Sequence, residues 1–202
     1  MSLLLTAQQL GAILPNAAGR IAVYLDPLNA AMDEFEIDTP QRAAAFIGQV
    51  AKESLQFKFS REIWGPTGQQ LKYERLFSAT WPPTPEDPTN KLAWILGNAE
   101  AGDGHTFMGR GLIQLTGRSN YDHCGQALNL DLLNQPELLE IPINACRSAG
   151  WFWRRHGLNE LADAGQFNDI TKAINGAHTA EAERVGYYKA ALAALGEPTP
   201  VA

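Results

Sequence analysis

Gly109-Arg110-Gly111-Leu112-Ile113-Gln114-Leu115-Thr116-Gly117-Arg118-Ser119-Asn120-Tyr121 is the most unusual stretch of this chain. Over Leu112 to Thr116 it alternates: Ile113 and Leu115 fall on one face of an extended segment, Gln114 and Thr116 on the other. That predicts one short strand. Outward from it, helical patterns dominate, so the fold class is mainly α. Immediately upstream, Gly97 to Gly111 is rich in glycine and polar residues and reads as a loop of functional type. A helix precedes it over 90–96. Before that, residues 58–90 are irregular, with turn signals at Gly65-Pro66, Pro82-Pro83, Pro85 and Pro88 around a helix over 67–77. Thr39 as N-cap and Pro40 at the first helical position open a helix through Ala43, Phe46, Ile47 and Val50. Residues 17–35 form another, with an interruption expected at Pro27. Thr6 and Gln9 have capping-box spacing for a first helix ending at Ile13, before Pro15-Asn16. Downstream, helices are expected over 118–129, 136–156, 167–175 and 179–195. There are no repeats and no low-complexity segment.

Size and composition bound the function. The chain has 202 residues, 45% of them hydrophobic and 19% charged, enough to bury a core without staples. Its net charge of −6 argues against nucleic acid as a partner and gives no long-range attraction to an anionic membrane or cell wall. Cys124 and Cys146 do not make a disulfide framework; buried thiols or a single bridge are the two readings. The opening Met-Ser-Leu-Leu-Leu-Thr lacks a basic region and a long apolar run, so the expectation is cytoplasmic synthesis without a signal peptide, with release by other means if the target lies outside. No apolar run is long enough to span a membrane. The four His (105, 123, 156, 178) form no metal-ligand motif, and no cofactor is expected.

Phe46, Val50 and Glu53 follow one helical stripe, so a carboxylate stands where an apolar side chain is due. Burial there would favour the protonated acid that cleavage of a glycosidic bond needs; the alternative is that Glu53, at the helix end, reaches water. Such chemistry takes a second carboxylate. Glu62 follows nine residues later, past Phe57 and Phe59, and a turn after Leu55 would carry it across a cleft; Glu74, Glu100 and Asp103 compete for the role. The amide and hydroxyl of Gln114 and Thr116 suit sugar hydroxyls or a water, or else belong to an edge strand facing solvent. Trp151, Phe152 and Trp153 read as core, whereas Trp64 and Trp81, in loops, are candidate sugar platforms.

Four blocks together, Ala51-Lys52-Glu53-Ser54-Leu55-Gln56-Phe57, the Gly109–Tyr121 stretch, Ile174-Asn175-Gly176 and Glu183-Arg184-Val185-Gly186-Tyr187-Tyr188-Lys189, resemble glycoside hydrolase family 19. That family holds plant-type chitinases and many bacteriophage endolysins. The resemblance covers roughly 39–195, and the short linkers and Gly102-Asp103-Gly104 are closer to the endolysin branch. It implies a lysozyme-like two-lobed α-helical domain, with a short strand or hairpin beside the cleft, and an inverting mechanism. Carried over residue by residue, Glu53 matches the general acid and Glu62 the general base. Thr116 matches the hydroxyl that positions water. Gln114, Asn120, Tyr121 and Asn175 match substrate-binding positions, and Arg184 an arginine of the network by the acid. Two positions depart. Lys52 stands where the family often has His, and Ala177-His178-Thr179 offers no match for an acidic residue of the plant members.

The implied function is a monomeric endolysin-type glycosidase cutting β-1,4 bonds of peptidoglycan, which would act on the wall after release. Chitin is the alternative substrate. A non-catalytic glycan-binding protein is the rival from another class, and an antibacterial effector would share the chemistry and differ in delivery. Residues 1–38 read as a helical segment of the same fold, and 196–202 as a tail.

Overall fold

Thr39 accepts a hydrogen bond from the Arg42 amide and Pro40 fixes the first φ, so the helix bearing Glu53 starts where the sequence places it. In the computed structural model, which describes residues 3–176 and 181–198, the α-helices in chain order are α1 (Ala7–Ile13), α2 (Ala18–Glu34), α3 (Pro40–Glu53), α4 (Gly68–Leu71), α5 (Lys91–Leu96), α6 (Asp103–Thr106), α7 (Arg118–Leu128), α8 (Pro142–Arg155), α9 (Leu158–Asp163), α10 (Phe167–Asn175) and α11 (Glu181–Ala194). The capping box at Thr6 and Gln9 is present at the start of α1. Helix α3 lies along α11, α2 along α8, and α1 along both α11 and α2. One hydrophobic core joins them, with Phe46, Tyr121 and Trp153 among its fully buried side chains. Among the described residues, none from 58–106 belongs to that core. This segment forms the second lobe.

The second lobe is held by buried polar side chains rather than by an apolar centre. Asn90 accepts from the Leu76 amide at 2.7 Å and donates to the Leu76 and Thr80 carbonyls. Asn98 donates to the Tyr73 carbonyl and accepts from the Arg118 amide. Asp103 receives both arms of Arg118 at 2.6 and 2.8 Å. These bonds also shorten the helix expected over 67–77 to four residues: Tyr73 and Leu76 give their backbone groups to asparagine side chains instead of to a helical ladder.

Other departures from the sequence reading have equally local causes. The helix expected over 136–156 is a 3₁₀ turn (Pro136–Glu140) followed by α8, because Pro142 holds Ile141 extended. Helix α9, unforeseen, starts from a left-handed Gly157. Pro27 leaves α2 unbroken; the Val23 carbonyl that loses its donor belongs to a half-exposed turn open to water. The strand expected over 112–116 is a tight turn: Arg110 and Leu115 exchange both backbone hydrogen bonds, Gln114 has φ +57°, and Arg110 also bridges Arg61. Gly111 makes the turn possible, since a Cβ there would lie 2.6 Å from the Ser148 hydroxyl. Leu112, Ile113 and Leu115 all enter the core, so their alternation with Gln114 marked burial, not extension.

Cys124 and Cys146 are buried free thiols. Burial pushes the Cys124 thiol up to about 12 and Cys146 likewise upward. Both are therefore expected to ignore a thiol reagent in the folded protein at about pH 8 and to react on unfolding; fast labelling of the native chain would contradict this burial. Among the described residues no helix is long and apolar enough to cross a membrane.

Candidate active site

Gln49 and Glu53 lie one turn apart on α3, facing α11. The Arg184 guanidinium, from α11, donates one Nη2 hydrogen bond to Glu53 Oε1 and one Nη1 bond of 2.6 Å to Gln49 Oε1. Gln49 then donates to Thr171 Oγ1 of α10 at 2.8 Å, and Thr171 to the Phe167 carbonyl. Gln49 and Thr171 are fully buried and Arg184 nearly so, whereas the Glu53 side chain keeps 18% of its surface. A partly exposed carboxylate is thus anchored by a polar chain reaching three helices deep. Lys52 turns to Glu183 instead, at 2.6 Å, so its ammonium is engaged one residue away from Arg184 on α11.

The chain reverses sharply after Glu53. Leu55, Gln56 and Phe57 have φ of +50°, +56° and +65°, three consecutive non-glycine residues in the left-handed region, a costly conformation. Its supports are close by. Ser54 Oγ donates to the Val50 carbonyl and accepts from the Phe57 amide. Gln56 accepts from the Asn16 amide and donates to the Tyr187 hydroxyl. Phe57 stacks on Tyr24 with centroids 4.8 Å apart. The turn that the spacing of Glu53 and Glu62 requires is there.

Glu62 is fixed by a different set of elements. The Ser60–Glu62 segment is pinned to the glycine-rich turn by Gly111 N to Ser60 O (2.9 Å) and Glu62 N to Gly109 O (2.8 Å). The Gly109 amide donates to Glu62 Oε2 at 3.1 Å, and Gln70 Nε2 donates to Oε1 at 2.9 Å. Gln70 is itself held by a capping box with Thr67 and by the Ile63 carbonyl. A Cβ on Gly109 would come within 2.8 Å of Gln114 Oε1 and 3.3 Å of Thr116 Oγ1. The absence of a side chain therefore lets Gln114 and Thr116 sit directly against the residue that binds Glu62. Thr116 donates to the Gln114 carbonyl, the Gln114 amide to the Gly111 carbonyl, and Asn120 to the Thr116 carbonyl. All three side chains remain half-exposed. A cavity of about 610 Å³ opens beside Glu62, with Trp64 and His105 in its wall, their rings 5.1 Å apart edge to face.

The structure separates these residues from the others singled out in the sequence. Tyr121 has no exposed surface; its hydroxyl donates to the Met108 carbonyl and accepts from Arg110, and burial holds the phenol well above its usual range. It shapes the turn and offers no face to a sugar, contrary to expectation. Arg184, 3% exposed, is the arginine that holds Glu53. Asn175 ends α10, exposed, one turn beyond Thr171. Among the rival carboxylates, Glu74 accepts from the Gly102 and His105 amides and Asp103 from Arg118, so both brace the second lobe. Trp81 packs on Trp94 and Arg75, away from the Glu62 cavity. Ala177-His178-Thr179 lie outside the described residues. Sequence reasoning missed Gln49 and Gln70. The signals were available: a glutamine inside the apolar stripe of α3, and Thr67-x-x-Gln70 at capping-box spacing. Among the described residues no three His, Cys, Asp or Glu side chains converge as metal ligands.

Known proteins resemble this chain in sequence and in fold. Chitinase 6 of Oryza sativa subsp. japonica is 28% identical over 160 residues, covering 75% of this chain and 51% of that protein. A glycosyl hydrolase family 19 domain-containing protein of Haemophilus influenzae is 34% identical over 125 residues, covering 60% and 56%. The chain thus spans about half the length, or less, of the curated relatives it matches. In fold, it superposes on chitinase C of Streptomyces griseus with a TM-score of 0.72 at 21% identity, covering 100% of this chain and 97% of that one. A class IV chitinase of Zea mays gives 0.60 at 24% identity, covering 95% and 88%. The family model described as chitinase class I matches residues 37–164, from just before α3 to the end of α9 and so across Glu53, Glu62 and the glycine-rich turn. The chain belongs to glycoside hydrolase family 19.

Proposed function

We propose that the chain hydrolyses β-1,4 bonds in polymers containing N-acetylglucosamine, with Glu53 as general acid and Glu62 as general base. The observation that carries this is the pair of separately anchored carboxylates: Glu53 held from the helical body by Arg184, Glu62 held from the second lobe by Gln70 and from the turn by Gly109. Glu53 gives its proton to the glycosidic oxygen as the bond to the anomeric carbon breaks. Water beside Thr116 and Gln114 attacks that carbon from the opposite face and loses a proton to Glu62, so the anomeric configuration inverts. Proton exchange with solvent restores both groups. The chain's own side chains suffice for this and it works as a monomer.

The finer reading is an endolysin-type enzyme acting on bacterial peptidoglycan after release to the wall. It rests on the short linkers and Gly102-Asp103-Gly104 of the second lobe. Chitin has its own support in the names of the relatives, several of which are chitinases or endochitinases. The deciding experiment follows reducing-end release from purified peptidoglycan and from chitin oligomers, with the first-formed anomer read by NMR. Cleavage with inversion, lost in Glu62→Gln, is expected, and the preferred polymer names the substrate. Binding to either polymer without turnover would put the chain among glycan-binding proteins; cleavage with retention would remove Glu62 from the role of base.

A further inference from the structure

The wall of the Glu62 cavity is positive, although the chain as a whole carries −6. Lys58, Arg61 and Arg110 line it against Glu62 and Glu140. Arg110 and Glu140 neutralise one another at 2.9 Å, and Arg110 is buried. That leaves Lys58 and Arg61 against the single charge of Glu62. Arg61 keeps 57% of its side-chain surface; its acidic neighbour is Glu140, 3.7 Å away and already held by Arg110. Lys58 is exposed, its ammonium 5.2 Å from the Phe59 ring centroid. Both cations precede Glu62 within four residues. The backbone that carries Arg61 is fixed to the glycine-rich turn by the bonds flanking it at Ser60 and Glu62. The wall therefore presents exposed cationic groups beside Glu62, with the backbone of Arg61 braced. A neutral glycan offers such groups no counter-charge. A glycan with carboxylated substituents does, and a guanidinium fork matches a carboxylate in geometry as well as charge.

We propose that Lys58 and Arg61 form a carboxylate-binding rim that selects an anionic amino-sugar polymer, such as peptidoglycan with its acidic peptide substituents, over neutral chitin. The inference rests on the cavity beside Glu62 being where the glycan lies. Charged rim contacts act on encounter and specificity and are weakened by salt.

The test uses the full chain with Lys58→Gln and Arg61→Gln combined, its fold checked by thermal melting. It has two readouts. The first is the ratio of the cleavage rate on purified peptidoglycan to that on chitin oligomers, expected to fall about tenfold in the variant. The second needs no turnover: co-sedimentation of the Glu53→Gln protein, with and without the rim substitutions, with peptidoglycan whose carboxyl groups are free or amidated. Wild-type rim residues are expected to bind the free form more tightly, less so at high salt, and to lose the preference on amidation. An unchanged ratio, or equal binding to free and amidated material, overturns the proposal. Activity on chitin together with no preference for the carboxylated polymer would sink the rim and leave the catalytic reading standing. Absence of cleavage on both polymers would sink the catalytic reading, while co-sedimentation still decides the rim.

Discussion

Glu53→Gln is expected to lower kcat by about 10² to 10⁴-fold, the range that one positioned acid contributes, with KM little changed. The reason is in the contacts. The amide keeps an oxygen where Glu53 Oε1 accepts from Arg184, so the side chain stays in place. What is lost is the proton, needed only as the leaving oxygen departs. An effect confined to kcat marks a group that acts in the transition state. Steady-state kinetics on soluble oligomers, with thermal melting to confirm the fold, would separate the possibilities. Full activity in Glu53→Gln would refute the acid assignment, and a rise in KM alone would make Glu53 a binding residue.

Arg184→Met is expected to damage both stability and activity. It removes the cation from a nearly buried ion pair and strips the buried Gln49 carbonyl oxygen of the donor it has in Arg184. Breaking a buried pair from one side costs about 3–5 kcal/mol, and for a chain of this length each kcal/mol lowers Tm by roughly 2–4 °C. A fall of about 6 °C or more is therefore expected. Helices α3, α10 and α11 should loosen together, because Thr171, Gln49 and Arg184 form one hydrogen-bonded chain. The double substitution with Glu53→Gln should be less destabilising than the sum of the two, since Glu53 without its charge no longer needs a cation. Melting curves for the four proteins of this cycle give the coupling. Strict additivity would mean that the pair contributes nothing as a pair, and an unaltered Tm would mean that Arg184 is no part of the buried framework.

Part of this framework was legible in the sequence. The start of α3 was legible because Thr39 and Pro40 act through the residues next to them. Glu53 stood out because one carboxylate breaks an apolar stripe, and Glu62 because a reversal after Leu55 would bring the chain back. By contrast, the strand expected over Leu112–Thr116 failed. Alternating apolar residues describe any segment with one buried side; here Arg110 and Leu115 close a turn on each other, and Gly111 leaves room for Ser148 on α8. The helix expected over 67–77 failed for a related reason: Asn90 and Asn98, many residues away in sequence, take the backbone groups that a helix would use. Tyr121 looked like a cleft residue in the motif, and burial made it a brace.

What the sequence determined by itself was the helical class and the family, because caps, periodicity and a contiguous motif are properties of neighbours along the chain; it also singled out Glu53 and Glu62 as the two candidate carboxylates. Tertiary structure decided how those carboxylates are held, by Arg184 and Gln49 on one side and Gln70 and Gly109 on the other. It also decided that Glu74 and Asp103 brace the second lobe and that Lys58 and Arg61 stand exposed on the wall beside Glu62. Hydrogen bonds between side chains of distant elements form only when folding has brought their partners within about 3 Å, and no local pattern announces them.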